Sequence, residues 1–158
     1  MTAKTKQVLI ALDYDPSAQK VADEGFLFAK TMKAKVTLLH VIADPLYYTS
    51  IGRITILGFA GHMDTSDKFI EEELQPDEIS SQFLNKTKQY LGDDRIQTQT
   101  KEGDFAESIL AVAKSIDADV IVMGSHSRKW FENTAMGSVT ERVLLYTTIP
   151  VLIIPTKK

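Results

Sequence analysis

The stretch from Met123 to Val139 contains the residue types and spacing in this chain that best fit a chemical site. Gly124, Gly137 and Ser138 lie in it, with an apolar run before them and a helical pattern after them. Glycines let a backbone approach an anion closely, and the first N–H groups of a helix point at such an anion with a partial positive charge. A strand, a small-residue loop and a helix start in this order therefore predict a phosphate site, and a bound nucleotide is the leading interpretation.

The elements that must position this site follow from hydrophobic periodicity. Short apolar or alternating runs predict five strands, and helical spacing predicts the segments that connect them. The predicted strands are residues 7–12, 35–41, 95–100, 119–123 and 150–155, the third of them an edge strand. The alternation of strands and helices predicts a three-layer α/β fold, with an open five-stranded parallel sheet and helices on both faces. For this sheet we expect the strand order 3-2-1-4-5.

Local signals place the helix boundaries. Asp, Ser and Pro residues are typical of a first helical turn, an acidic residue three positions on completes a capping box, and glycine ends a helix. The predicted signals are Asp15-Pro16 for the first helix, Pro76-Asp77 and Gly92 for the ends of the second, Asp104 with Glu107 for the third, and Ser138 with Glu141 for the fourth.

Length predicts that residues 1–158 form a single domain. Residues 44–76 are an irregular excursion without clear periodicity, in which we expect partial order and a short helix near 67–74. This excursion is either a variable insertion packed on the surface, or a lid or dimer contact whose apolar residues need cover.

Composition excludes several classes of protein. The net charge of −3 gives no electrostatic reason to expect a nucleic-acid partner, and the absence of cysteine excludes disulfides and thiolate metal sites. No apolar run approaches the roughly 18 residues that span a bilayer, and no secretory segment precedes the first strand. His62 has no second ligand at metal spacing, so no metal site is predicted. We expect a cytoplasmic protein without a membrane partner.

Topology and motif indicate one place for a ligand. In open parallel sheets, ligands bind beyond the carboxyl ends of the strands, where the strand order reverses. In the predicted order this point lies between the first and fourth strands, which end at Asp13 and at Met123-Gly124. The phosphate motif and the predicted switch point therefore coincide.

Five segments together resemble the universal stress protein family. They are Val8–Asp13, Leu38–Val41, Ala118–His126, Met136–Val143 and Ile149–Pro155. These motifs fall in the family's order, and the match extends over essentially the whole chain apart from the excursion at 44–76. ATP-binding members of that family carry a signature of Gly, two residues, Gly, nine residues, Gly and then Ser or Thr. Gly124, Gly137 and Ser138 match this signature with its spacing intact, whereas Ser127 stands at the second glycine.

The resemblance implies roles for particular residues. It implies that Asp13 contacts the adenosine end of ATP and that Val41 lines the adenine pocket. It implies further that Met123 and Gly124 border the ribose and phosphates, with Gly137, Ser138 and Val139 around the polyphosphate. It also implies a homodimer, paired through the last strand at Val151–Ile154.

Each of these roles has a purely structural alternative. Asp13 could cap a turn, Gly124 could be a tight strand exit, and Ser138 could be only a helix cap. Ser127 either strains the loop, if that position requires positive φ, or donates its hydroxyl to a phosphate.

Two functions therefore remain open. One is an ATP-binding regulatory stress-response protein, with or without Mg²⁺, that acts as a homodimer. The other is a protein-interaction module of the same fold that binds no nucleotide. We do not expect an enzyme, because spacing reveals no nucleophile–base pair or carboxylate cluster, although slow ATP hydrolysis stays open.

Overall fold

The computed structural model describes residues 4–14, 16–42, 76–125 and 137–156. Within these ranges five strands form one parallel sheet in the order β3-β2-β1-β4-β5, so the predicted architecture and strand order are confirmed. The strands are β1 (Gln7–Leu12), β2 (Lys35–Ile42), β3 (Gln97–Glu102), β4 (Val120–Gly124) and β5 (Val151–Ile154).

Helices cover both faces of the sheet, as the strand alternation requires. They are α1 (Ala18–Thr31), α2 (Pro76–Leu91), α3 (Phe105–Ser115) and α4 (Ser138–Tyr146). Successive side chains of a strand point to opposite faces, so Val8 and Ile10 pack in one core with α1 and α2. Leu9, between them in the chain, packs in a second core with α3 and α4. The apolar strands are therefore buried on both sides, as expected of a parallel sheet.

Two predicted helix starts are wrong by one or two residues. Helix α1 begins at Ala18 with Ser17 at the cap position, and not at the predicted Asp15-Pro16 cap. Helix α4 has Gly137 at its cap position in an extended conformation, so Ser138 is the first helical residue and not the predicted cap. The physical reason in α4 is that the Gly137 N–H donates to the Ser125 carbonyl at 2.8 Å, which fixes the chain at the helix entrance.

The other boundaries lie close to their predicted positions. Asp104 caps α3 by accepting a hydrogen bond from the Glu107 N–H at 2.9 Å, and Gly92 follows α2 with a φ of +75°. Strand β3 begins two residues later than predicted, because the Arg95 N–H and guanidinium both bond Asp93 and hold that part of the chain in a turn.

Three predictions fall outside the described residues: the irregular excursion at 44–76, of which only residue 76 is described, the short helix near 67–74, and the conformation of Ser127. Among the helices that the structure describes, none has both the length and the apolar character needed to cross a bilayer.

Candidate functional site

A cleft of about 620 Å³, part of it open to solvent, lies at the carboxyl ends of β1, β2 and β4, between α1 and α3. Strands β1 and β4 are neighbours, although β2 and β3 follow β1 in the chain, so this is the point where the strand order reverses. Open α/β sheets bind their ligands at this point. The cleft therefore lies where topology alone places a ligand site.

Five of the eight predicted site residues line this cleft, namely Asp13, Val41, Met123, Gly124 and Val139. Val41 and Met123 are buried, at 3% and 5% exposure, whereas Asp13 is half-buried just beyond β1. The structure thus brings together residues that are more than 100 positions apart in the chain. It combines one carboxylate with apolar walls and a strand-terminal glycine.

Gly137 and Ser138 adjoin the cleft without lining it. They form the entrance of α4, directly before Val139 and Thr140, which do line it. Gly137, the cap residue of α4, has no side chain that could accept hydrogen bonds from the first N–H groups of the helix, which lack intrahelical partners. Since such groups carry partial positive charge, this end of α4 suits an anionic group.

Two hydrogen bonds hold the ends of the glycine motif together. The Thr140 hydroxyl donates to the Gly124 carbonyl at 2.9 Å, and the Gly137 N–H donates to the Ser125 carbonyl at 2.8 Å. The exit of β4 and the entrance of α4 therefore have a fixed separation, whatever the course of the chain between residues 126 and 136.

The walls of the cleft include residues that the site prediction missed. Phe105 and Ile109 from α3 and Leu39 from β2 add apolar surface, and Ser17 comes from the start of α1. The apolar pattern of α3 by itself explains Phe105 and Ile109 as core residues. Phe105 and Ile109 lie in the first turns of a helix that begins at the carboxyl edge of the sheet. That position is the sequence signal that could have indicated a place in the cleft.

A buried aromatic and polar cluster lies behind the cleft at the ends of β1 and β2. The rings of Tyr14 and His40 stack with centroids 4.1 Å apart, and Phe83 meets both rings edge-on. His40 Nδ1 lies 2.7 Å from the Ser80 hydroxyl, so His40 is an interior residue with a hydrogen-bond partner. Burial lowers the pKa of His40 to about 3, so its imidazole is neutral at physiological pH.

One ion pair connects the two helices on the α3 and α4 face. The Arg142 guanidinium donates to Asp104 at 2.8 Å and lowers the pKa of that carboxyl below its usual value, assisted by the Glu107 N–H. Both partners are substantially exposed, so the pair contributes little to stability.

The described residues contain no group of three or more His, Cys, Asp or Glu side chains placed to hold a metal ion.

The geometry defines a class of protein: a three-layer α/β domain with a ligand cleft at the switch point of a 3-2-1-4-5 parallel sheet. A model of the universal stress protein family matches residues 4–155. The chain therefore belongs to the universal stress protein family.

Individual relatives span the whole chain. Universal stress protein MJ0577 of Methanocaldococcus jannaschii is 30% identical and is aligned over 99% of each chain. A solved structure of MJ0577 superposes with a TM-score of 0.66 over 99% of each chain at 24% identity.

Two further solved structures share the fold. The universal stress protein UspA from Lactobacillus plantarum has a TM-score of 0.69 at 20% identity, over 97% of this chain and 99% of that one. A universal stress protein solved in complex with cAMP has a TM-score of 0.62 at 17% identity, over 98% of this chain and 99% of that one.

Proposed function

We propose that this protein binds an adenine nucleotide, ATP in the first place, and acts as a regulatory stress-response protein. The observation that carries the proposal is the cleft at the switch point, where Asp13, apolar walls and the entrance of α4 come together. A carboxylate can accept hydrogen bonds from ribose hydroxyls, apolar walls can hold a base, and helix N–H groups can hold phosphates. The relative solved with cAMP supports an adenine nucleotide as the class of ligand.

The chain's own residues would act by binding and orienting the nucleotide. Val41 and Met123 would enclose the base and ribose, and Gly124 would let the backbone approach the ligand without a side chain between them. Ser138 and Val139 would present their N–H groups to the phosphates. Mg²⁺ would enter with the phosphates, because the described residues offer no metal cluster of their own.

Substitution of Ser138 by Glu tests the anion site directly. Ser138 is exposed in the first turn of α4, where a carboxylate stabilises the helix but repels a polyphosphate. We expect Ser138→Glu to weaken ATP binding ten-fold or more in isothermal titration calorimetry with Mg²⁺, while the thermal midpoint stays equal or rises. A binding loss without a stability loss identifies the site, because a damaged fold would lower both.

The matched control is Gln97→Glu, which adds the same charge on the exposed edge strand β3. It should leave ATP affinity unchanged. The proposal fails if the wild-type protein shows no heat of binding at millimolar ATP and Mg²⁺, or if Ser138→Glu binds ATP as tightly as wild type.

We infer further that two copies of the chain pair through Val151–Ile154. Strand β5 is an edge of the sheet, and the helix before it ends with Leu145 and Tyr146 at 73% and 67% exposure. Absence of any co-purifying adenine nucleotide, together with a persistent dimer, would favour the alternative of a protein-interaction module.

We propose that the protein works in the cytoplasm and is not an enzyme. The described residues that line the cleft include no serine–histidine pair and no second carboxylate beside Asp13. Phosphate release from ATP faster than about 1 s⁻¹, an ordinary enzymatic rate, would contradict this.

A further inference from the structure

Ser125 forms hydrogen bonds with the entrance of α4 through its backbone, and with the last strand and the residue beyond it through its backbone and its side chain. It directly follows β4 and is 8% exposed. Its N–H donates to the Ile154 carbonyl at 2.9 Å, and its carbonyl accepts from the Gly137 N–H at 2.8 Å. Its backbone therefore joins the end of β5 to the entrance of α4.

The side chain of Ser125 adds a second connection to the same strand. Its hydroxyl oxygen accepts a hydrogen bond from the Thr156 N–H at 3.0 Å and lies 3.3 Å from the Thr156 hydroxyl. Thr156 follows β5 by two residues, and the intervening Pro155 carbonyl accepts a hydrogen bond from the Lys20 ammonium group of α1. The chain beyond β5 is thus fixed between α1 and the start of the glycine motif.

These contacts form a continuous path from the sheet edge to the candidate site. Any shift of β5 along β4 would move Ile154 and Thr156, and with them both the backbone and the hydroxyl of Ser125. Because the Ser125 carbonyl holds the Gly137 N–H, such a shift would also move the entrance of α4. Short hydrogen bonds between packed elements transmit displacement in this way because interiors are close-packed.

We propose that Ser125 is a positioning residue that couples the phosphate end of the nucleotide site to strand β5. Its hydroxyl sets the separation of β4 and α4 from the last strand, so a change at the β5 edge alters nucleotide affinity. By linkage, nucleotide binding alters the packing of β5 by the same free energy. The inference rests on the proposed nucleotide function, and it names a route by which that site is regulated.

Two substitutions remove the same hydrogen bond from opposite sides. Ser125→Ala deletes the acceptor, and Thr156→Pro deletes the N–H donor. Each should weaken ATP binding roughly three- to ten-fold, the range expected for one lost hydrogen bond. The double variant should bind no more weakly than either single variant, because both changes remove one interaction.

Conservative variants test whether the loss of ATP affinity comes from that hydrogen bond. Ser125→Thr retains a hydroxyl and Thr156→Val retains the N–H, so both should bind ATP within about two-fold of wild type. Thr87→Val is the matched control for loss of a buried hydroxyl, because the Thr87 hydroxyl donates to Phe83 within α2, which packs against β2 and β3. It should lower thermal stability without changing ATP affinity.

A measurement on the nucleotide-free protein separates this inference from the proposed function. In Ser125→Ala, hydrogen exchange at the Gly137 and Thr156 amides should accelerate, while exchange in α2 stays unchanged. The coupling is overturned if these amides exchange at wild-type rates, or if Ser125→Ala binds ATP as wild type does while the wild-type protein binds ATP well. Faster exchange in a protein that shows no ATP binding would refute the nucleotide function and leave the positioning role intact.

Discussion

His40 and Ser80 show how burial decides what a pair of reactive side chains does. A serine hydroxyl 2.7 Å from an imidazole nitrogen has the spacing of a nucleophile and its base. Ser80 is fully buried, however, and His40 is 2% exposed beneath the rings of Tyr14 and Phe83. No substrate reaches such a pair, so its role is to close the ends of β1 and β2 behind the cleft.

This buried imidazole predicts a specific loss of stability in acid. The folded-state pKa of His40 is about 3, below the ordinary value of 6.5, so between these values the unfolded chain binds a proton that the native protein does not. The free energy of unfolding should therefore fall as pH drops through 6.5 and level off below about 3, by on the order of a few kcal/mol. Urea titrations of wild type between pH 7 and pH 4 would measure the fall.

The matched variant is His40→Asn, which retains a polar group near Ser80 and cannot gain the proton. It should be less stable than wild type at pH 7 but should show a flatter dependence of unfolding free energy on pH. Parallel curves for the two proteins would show that another group causes the acid sensitivity.

Only some site residues could be predicted from the sequence. Asp13 and Gly124 follow from topology, because each stands where an apolar strand gives way to a charged or small residue, and both line the cleft. Val41 needed the family resemblance, since one valine in a buried strand resembles any other. Ser125 could not be predicted, because its importance depends on the course of the chain after β5, which no local pattern encodes.

At the level of elements, the close packing of α1 against the sheet depends on Gly25 in the middle of the helix. Glycine disfavours a helix interior by about 1 kcal/mol relative to alanine, so its presence needs a packing reason. A Cβ atom at Gly25 would lie 2.9 Å from Ile10 Cδ1 and 3.0 Å from Val122 Cγ1, both in fully buried side chains. Gly25 thus lets α1 approach β1 and β4 closely, which brings the start of α1 to the cleft.

Gly25→Val should therefore lower the free energy of unfolding by about 2 kcal/mol or more, as overpacking of a core does. Chemical denaturation measures the change. Leu27→Val is the matched control, because Leu27 is 59% exposed on the same helix and its replacement carries only a helix-propensity cost of about 0.5 kcal/mol. Equal losses in the two variants would mean that space at Gly25 is unimportant.

The elements themselves were predictable because their signals are local. The Asp104 cap and the apolar stripe of α3 agree with each other, and α3 begins where predicted. The start of α4 was misplaced because Ser138 has the residue type of a cap, whereas a distant backbone contact from Ser125 gives that position to Gly137. Tertiary contacts overrode the residue preference there.

At the scale of the whole molecule, the two edges of the sheet differ in chemistry. Strand β3 is polar along its length, from Gln97 to Glu102, and four of its six residues are exposed. Strand β5 consists of Val151–Ile154, is apolar, and follows a helix that exposes Leu145 and Tyr146. The alternation of strands and helices restricts parallel sheets to a few arrangements, and the expected order 3-2-1-4-5 is one of them.

Pairing through β5 predicts a substitution that separates two copies without unfolding either. The carbonyls of Pro150 and Ile154 bond β4, so the N–H of Ile153 faces away from that strand. Ile153→Pro should thus remove an outward donor and convert a dimer to a monomer in sedimentation velocity, with little change in circular dichroism.

Leu152→Pro is the comparison, because the Leu152 N–H faces β4, and its loss should destabilise the fold itself. An Ile153→Pro protein that remains dimeric would place the interface elsewhere.

The difference in polarity between the two edge strands has a consequence for assembly. Exposed edge strands are templates to which strands of further chains can add, and a protein with two such edges can form filaments. Here the edge strand β3 carries the charged residues Lys101 and Glu102, which disfavour such addition. Association through β5 would be self-limiting at two copies, so the protein would not polymerise even at high concentration.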